Sequence, residues 1–94
     1  MIEWTEQAIR QLDQVHDYIA LSNSEEVADR IIMHVVASVQ QLFTFPMLGR
    51  PGRVLTTREL VISSSPFVVA YCIEKERVVI LAIYRGAQQW PESF

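Results

Sequence analysis

Arginine and tyrosine side chains are the groups in this sequence best suited to bind phosphate or to transfer a proton. Arg50 and Arg53 occupy a segment rich in glycine and proline. Arg58 begins one apolar run, and Tyr84 and Arg85 end another. A guanidinium group pairs with phosphate or carboxylate through parallel hydrogen bonds, and a tyrosine can stack on a base or act as an acid–base group. If a sheet brings these residues together, they could form an anion-binding site.

Each of these residues also has a structural interpretation. Arg85 could form an ion pair with Glu59 or with Glu92 in the tail, because a buried guanidinium must be paired. The two loop arginines could be solvated charges, and Tyr84 could fill space with its hydroxyl in water.

Simple alternation along the last strand places Arg85 and Tyr84 on opposite faces. Arg85 is then predicted to share a face with Val79, Leu81 and Ile83, and Tyr84 to share the other face with Ile80 and Ala82.

The remaining reactive groups predict neither a metal site nor a cofactor. His16 and His34 lack a third ligand at suitable spacing. Cys72 is the single cysteine, so it cannot form an internal disulfide, and its apolar neighbours favour a buried, inert thiol. Gly49-Arg50-Pro51-Gly52 does not join a strand to a helix as a phosphate-binding loop does.

The charge is distributed unevenly along the chain. Residues 1–45 contain seven acids and two bases, a balance of −5, whereas residues 46–94 contain six bases and four acids, a balance of +2. This pattern predicts an acidic helical side and a mildly basic sheet side. It lacks the strongly basic surface of a dedicated nucleic-acid-binding protein.

Two amphipathic helices are predicted in the acidic half. Thr5 is a suitable N-cap for the first helix, whose apolar residues recur at spacings of three and four. Ser22 and Glu25 have capping-box spacing for the second helix, and Asn23 and Ser24 are alternative caps. The second helix ends before Pro46.

Short strands and loops are predicted elsewhere. Ile2-Glu3-Trp4 suits a brief first strand, and residues 47–56 are expected to form a loop. Three further strands are predicted at Arg58–Ile62, Phe67–Ile73 and Val78–Tyr84, the last two joined by a charged turn at residues 74–77. The expected fold is α+β, a helical hairpin on a small, mostly antiparallel sheet in the order β-α-α-β-β-β, forming one domain over residues 1–94.

Several short motifs occur in an order that resembles the RelE/ParE superfamily of bacterial toxins. They are Trp4-Thr5-Glu6-Gln7-Ala8, Phe45-Pro46 with Gly49-Arg50, Thr57-Arg58-Glu59-Leu60-Val61, Tyr71, Val79-Ile80-Leu81 and Gly86-Ala87-Gln88-Gln89-Trp90-Pro91. The resemblance covers almost the whole chain. It implies a cytoplasmic toxin that forms a hetero-oligomer with a cognate antitoxin encoded beside it.

The resemblance allows two toxic activities. RelE-like members cleave mRNA on the ribosome, and ParE-like members poison DNA gyrase without acting as nucleases. The long helical hairpin, the Gly-Arg loop and the modest charge favour the ParE-like branch, since ribosome binding normally needs a basic surface. A degenerate toxin that keeps only antitoxin binding and operon control is a third interpretation.

The resemblance also implies roles for particular residues. For a RelE-like nuclease, the catalytic candidates are Arg50, Arg53, Arg58, Tyr84 and Arg85. For partner binding, the candidates are Arg58, Tyr84, Arg85 and Trp90, the last anchoring the tail. Many relatives have histidine at the position of Arg85, and the lysines of RelE-type sites have no counterpart here. A plain protein-interaction module with structural arginines is the alternative outside the superfamily.

No membrane segment or signal peptide is expected, because the start Met1-Ile2-Glu3-Trp4 is neither basic nor followed by a long apolar run. The cytoplasm is therefore the predicted compartment.

Overall fold

Two helices cover one face of a five-stranded sheet in the computed structural model, which describes residues 1–86 and Phe94. The elements follow one another as β1 (Ile2–Trp4), α1 (Glu6–Ser22), α2 (Glu25–Thr44), β2 (Arg50–Pro51), β3 (Arg58–Val61), β4 (Phe67–Glu74) and β5 (Arg77–Arg85). The strand order across the sheet is β1-β5-β4-β3-β2. Neighbouring strands are antiparallel except β1, which runs parallel to β5.

The predicted fold class is confirmed, with one correction in the segment expected to be a loop. Arg50 and Pro51 form β2 and pair with Glu59 and Arg58 of β3. The loop prediction for residues 47–56 missed this strand because a two-residue ladder flanked by proline and glycine has no periodicity to detect.

Side-chain caps fix the start of both helices. The Thr5 hydroxyl accepts a hydrogen bond from the backbone N–H of Ala8 at 3.2 Å, which confirms the predicted cap of α1. Ser24, one of the alternative caps, accepts from Val27 N–H at 3.1 Å and begins α2. The Ser22 capping box is wrong, because Ser22 is the last residue of α1 and donates to the Tyr18 carbonyl.

The core lies between the helical hairpin and the sheet. Ala8 of α1 and Ala28 of α2 are completely buried, and such small side chains allow closely packed backbones. The central strands contribute apolar side chains, among which Tyr71 is the largest that is fully buried. No helix within the described residues is long and apolar enough to cross a membrane.

A β-bulge in β5 changes which residues share a face. The register against β4 shifts between Ala70 and Tyr71, which pair with Ala82 and Ile80 and leave Leu81 without an opposite residue. Ile80 and Ile83 therefore both join the helix-side core, whereas Ala82 and Tyr84 pack on the other face.

The predicted alternation along β5 was therefore only partly correct. Arg85 follows Ile83 toward the helices, but Val79 does not belong to that face. Tyr84 shares its face with Ala82 and not with Ile80. An inserted residue reverses the alternation on one side of a bulge, and simple period-two counting does not register it.

The turn between β4 and β5 contains residue types that do not favour its backbone angles. Lys75 and Glu76 have φ angles of 47° and 66°, so both lie in the left-handed region. Two-residue hairpins need this geometry to match strand twist, and they usually place asparagine and glycine there. The turn sets the antiparallel pairing of the two central strands, which position Tyr71 and Arg85.

Candidate functional site

The segment of residues 45–53, here named the arginine loop, is held against the sheet by the buried side chain of Tyr71. The Tyr71 hydroxyl donates to the Pro46 carbonyl at 2.7 Å and accepts from the Gly49 N–H at 2.8 Å. Both loop groups lie outside a helix or a sheet ladder, so the tyrosine replaces the backbone partners that regular structure would supply.

Arg58 holds the same loop from β3. Its Nε donates to the Gly49 carbonyl at 2.9 Å, and its Nη2 donates to the Met47 carbonyl at 3.2 Å. These contacts give Arg58 a structural function in the loop.

Glu59 of β3 is the acidic residue that binds the arginine loop, and its side chain is only 2 % exposed. One carboxylate oxygen accepts from Arg50 Nε and Nη2 at 3.3 and 3.1 Å. The other accepts from the Arg53 backbone N–H at 2.7 Å, with the Arg53 Nε 3.8 Å away. The proposed Glu59–Arg85 ion pair was therefore wrong, because β2 brings the loop arginines to Glu59, and Glu92 lies outside the described residues.

Gly49 is required where the loop meets the sheet. A Cβ atom at this position would lie 2.6 Å from the Tyr71 hydroxyl oxygen and 2.8 Å from the Glu59 carbonyl oxygen. A glycine therefore permits the close backbone approach on which both hydrogen bonds of Tyr71 depend.

While its backbone is fixed, the arginine loop exposes apolar and basic side chains. Phe45, Met47 and Leu48 are all about half exposed or more, and so are the Arg50 and Arg53 side chains. A rigid segment with such side chains is suited to protein contact, since little conformational entropy remains to be lost on binding.

Tyr84 and Arg85 lie at the opposite end of the sheet, beside a cleft of about 290 Å³ between α1 and the ends of β4 and β5. The Arg85 guanidinium carbon lies 4.9 Å from the centre of the Tyr18 ring, a cation–π geometry. The Tyr84 ring stacks on Phe94 with 6.0 Å between centroids. The Gln11 side-chain oxygen accepts from Ile83 N–H at 2.9 Å, so α1 covers the edge of β5 beyond β1.

The structure divides the predicted arginine–tyrosine set into two groups. Arg58 pairs with Tyr71 across β3 and β4, and Arg85 pairs with Phe67 across β4 and β5. The Cα atoms of Arg58 and Arg85 are therefore separated by four residues along the strand direction and by two strand spacings across the sheet, a distance of roughly 17 Å. The Arg58 side chain also extends toward the arginine loop. Trp90, the fourth residue predicted to bind a partner, lies outside the described residues.

Two functional contacts were not found from the sequence. The Tyr71 hydroxyl and the Glu59 carboxylate organise the arginine loop, yet Tyr71 appeared only as a family motif and Glu59 as a partner for Arg85. A tyrosine among apolar residues of a central strand was the available signal, because a buried hydroxyl needs hydrogen-bond partners.

The histidines join elements of the fold. His16 Nε2 lies 2.7 Å from an Asp29 carboxylate oxygen, which links α1 to α2. This hydrogen bond is the main cause that raises the pKa of His16, with a smaller contribution from Asp17. His34 Nε2 lies 2.8 Å from the Ser63 carbonyl oxygen, so this nitrogen must carry the proton.

The described residues contain no group of three His, Cys, Asp or Glu side chains placed to hold a metal ion. Cys72 is partly exposed and not fully buried as expected. Desolvation raises the pKa of its thiol, and the nearby Glu74 carboxylate raises it further.

Comparisons with known proteins agree with the motifs and the fold. Residues 2–90 match the family described as ParE toxin of type II toxin-antitoxin system, parDE. A Sinorhizobium fredii protein named "Putative toxin Y4kP" is 37 % identical over 91 residues, covering 97 % of this chain and 93 % of that protein.

Two solved structures share the architecture. The chromosomal ParDE TA system from P. aeruginosa contains a chain with a TM-score of 0.83 and 27 % identity, and the match covers 89 % of this chain and 92 % of that one. A chain of the RelBE2 toxin-antitoxin complex from Mycobacterium tuberculosis matches with a TM-score of 0.65 and 23 % identity, over 90 % of this chain and 95 % of that one, which shows a shared fold. The ordered motifs, the helical hairpin on its sheet and the match over residues 2–90 together place this chain in the ParE toxin family of type II toxin–antitoxin systems.

Proposed function

We propose that this toxin is neutralised by a cognate antitoxin and acts in the cytoplasm by inhibiting DNA gyrase, without nuclease activity of its own. The main support is that Arg50 and Arg53 of the arginine loop, and Arg58 of β3, make contacts that hold this loop against the sheet. An RNA-cleaving site needs cations and an acid–base group converging on one phosphate. In this chain the Arg50 guanidinium donates to Glu59, the Arg58 guanidinium donates to two backbone carbonyls, and Arg53 donates to Glu59 through its backbone N–H.

The position of Tyr84 gives further support. Its side chain is buried on the face of the sheet opposite the helices, against Phe94, whereas its neighbour Arg85 lies beside Tyr18 of α1. A tyrosine and an arginine on opposite faces of one strand do not converge on a single scissile phosphate.

The charge distribution also favours a protein target over RNA. The half of the chain that contains both helices carries −5, and the whole chain carries −3. Binding to ribosomal RNA depends on many phosphate contacts and is opposed by a negative surface. Contact with a protein such as gyrase has no such requirement.

The proposal that a cognate antitoxin binds this chain is based on the solved structures of similar proteins. The solved structures that match this fold were determined as a ParDE TA system and as a RelBE2 toxin-antitoxin complex. The exposed apolar side chains of the arginine loop provide a surface that a partner could cover. Arg85 at the cleft, Tyr84 on the opposite face of the sheet beside Phe94, and Trp90 are proposed as partner contacts, and Arg58 contributes indirectly by fixing the loop.

The experiment that tests the target is pulse-labelling of DNA and protein synthesis after induction without antitoxin, combined with a supercoiling assay on purified gyrase. The proposal expects DNA synthesis to fail first and gyrase to accumulate cleaved plasmid. Early collapse of protein synthesis with cleaved mRNA would instead indicate the RelE-like activity. Induction without any growth defect would indicate a degenerate toxin.

Substitution of Arg85 tests whether this residue contacts the target or only contributes to folding. Arg85→Gln is expected to reduce growth arrest at an unchanged melting temperature. Arg10→Gln is the matched control, since Arg10 is an exposed arginine of α1 paired with Glu6. Equal toxicity of the two variants would remove Arg85 from the proposed contact surface.

A further inference from the structure

We propose that the turn at residues 54–57, here named the Leu55 turn, inserts its leucine side chain into an apolar pocket of the protein that the toxin inhibits. The inference rests on the proposed function in taking this target to be DNA gyrase. The turn joins β2 to β3, and the contact would be apolar, unlike those proposed for the arginine side chains.

The tip of the Leu55 turn exposes a large apolar side chain. Leu55 is 88 % exposed, whereas Val54 beside it is only 9 % exposed and anchors the base of the turn. A single exposed leucine is common on protein surfaces and does not by itself indicate a site. The conformation of the turn is the second observation.

The backbone of the turn has a conformation that its sequence does not favour. Thr57 donates its N–H to the Val54 carbonyl at 3.1 Å, which closes a β-turn with Leu55 and Thr56 at its centre. Thr56 has a φ angle of 68°. A positive φ at the third position is typical of a type II turn, where glycine or asparagine is usual and a β-branched residue is strained. Such disagreement between sequence and backbone occurs preferentially at functional sites.

Hydrogen bonds connect the turn to the arginine loop and the sheet. The Thr57 hydroxyl donates to the same carbonyl oxygen at 2.6 Å, and the Thr57 carbonyl accepts from the Gly52 N–H at 2.8 Å. The neighbouring Arg53 donates its backbone N–H to the buried Glu59 carboxylate at 2.7 Å. The turn therefore presents Leu55 on a fixed backbone, which lowers the entropy cost of binding.

The shape of the turn indicates the kind of partner. An exposed side chain at the tip of a turn projects from the surface, so its burial requires a concave apolar site on the partner. A short extended or helical segment has no such concavity, whereas folded proteins have pockets, preferentially at domain interfaces. Within the proposed function, this favours contact with the folded target.

The test compares two leucines of nearly equal exposure in the gyrase supercoiling assay. Leu55→Ala should raise the concentration for half-maximal inhibition about tenfold or more, because a pocket would bury most of the leucine side chain. Leu21→Ala is the matched control, since Leu21 is 90 % exposed at the end of α1. It should change inhibition by less than about threefold. Leu55→Met has a similar volume and should also inhibit within about threefold of the wild-type chain.

Melting temperatures separate a contact from a contribution to folding. Both leucines are exposed, so these substitutions should shift the melting temperature by no more than about 4 °C. Thr56→Gly removes the Cβ atom at the positive φ and keeps Leu55. It should raise the melting temperature by about 2–8 °C and leave inhibition within about threefold of wild type. A lower melting temperature would show that Thr56 is not strained and would overturn the proposal.

The inhibition data can also overturn it. Wild-type inhibition by Leu55→Ala, or equal losses in Leu55→Ala and Leu21→Ala, would mean that Leu55 does not enter a pocket of the target. A loss in Leu55→Met as large as that in Leu55→Ala would contradict an apolar contact that depends on side-chain volume.

Failure of the proposed target is recognised from the wild-type chain. If it arrests growth without inhibiting gyrase, the target is rejected, and the same variants are compared by growth arrest. Weaker arrest by Leu55→Ala than by Leu21→Ala then supports the Leu55 turn as a contact with another target, whereas equal arrest rejects it. A wild-type chain that neither arrests growth nor inhibits gyrase would reject both proposals.

Discussion

Tyr71→Phe should destabilise the protein strongly although it removes a single oxygen atom. The ring remains, so packing is preserved, but the Gly49 N–H and the Pro46 carbonyl lose their partner. The buried Gly49 amide should cost about 1–3 kcal/mol when left unsatisfied. The partly exposed Pro46 carbonyl can reach water and should add about 0.5–1.5 kcal/mol. A loss of about 3 kcal/mol is a large part of the roughly 5–14 kcal/mol expected for a domain of this length.

Urea denaturation followed by circular dichroism measures this loss. With a slope of about 1.5 kcal/mol per molar urea, the midpoint should fall by about 2 M at unchanged slope. Tyr18→Phe is the matched control, because the Tyr18 side chain is largely exposed, and it should change stability by less than about 0.5 kcal/mol. A Tyr71→Phe loss below about 0.5 kcal/mol would refute the conclusion that the hydroxyl holds the loop.

Gly49→Ala tests the same contact from the loop side. The added Cβ would lie 2.8 Å from the Glu59 carbonyl oxygen, a backbone atom that cannot move aside, so a loss of about 3 kcal/mol is expected. Gly86→Ala is the control, since among the described residues its Cβ would meet nothing closer than the Pro66 carbonyl oxygen at 3.7 Å. Equal stabilities of the two variants would mean that the loop relaxes away from Tyr71.

Two further predictions concern the hairpin turn and pH. Lys75 and Glu76 both have left-handed backbone angles, which Asn and Gly adopt more easily. Replacing them by Asn and Gly should therefore stabilise the protein by about 1 kcal/mol and raise the melting temperature by about 4–8 °C. A lower melting temperature would contradict this explanation of the turn. The raised pKa of His16 means that its hydrogen bond with Asp29 stabilises the fold fully below about pH 6.5 and loses this effect as pH rises through the folded-state pKa. Asp29→Asn should therefore lower the melting temperature at pH 5.5 and have little effect at pH 9, whereas Asp13→Asn should show no such pH dependence.

The fold was largely predictable because its signals are periodic and local. Apolar spacings of three and four marked both helices, and the cap at Thr5 was visible as a threonine before the first helical turn. The charged turn between β4 and β5 likewise separated two apolar runs. These features depend on neighbouring residues, which a sequence displays directly.

The arrangement of the candidate site was less predictable because it depends on register. The bulge at Leu81 places Val79 and Ile80 on the faces opposite to those predicted relative to Tyr84 and Arg85. No residue type in β5 indicates that a bulge occurs there. The two-residue β2 strand placed Arg50 opposite Glu59, which changed the partner expected for that glutamate. A shift of one residue moves a side chain to the other face, so small errors in register become large errors in a site.

The arginine loop explains why arginines that suggest catalysis can have a structural function. A loop that crosses a sheet edge must satisfy its backbone groups without a helix or a long ladder. Arg58 supplies donors for two carbonyls, and the Glu59 carboxylate accepts from a backbone N–H while neutralising Arg50. A domain of 94 residues has limited core to stabilise such a loop by packing alone. The polar contacts therefore fix the backbone and leave the apolar side chains of the loop exposed, where a partner can bury them.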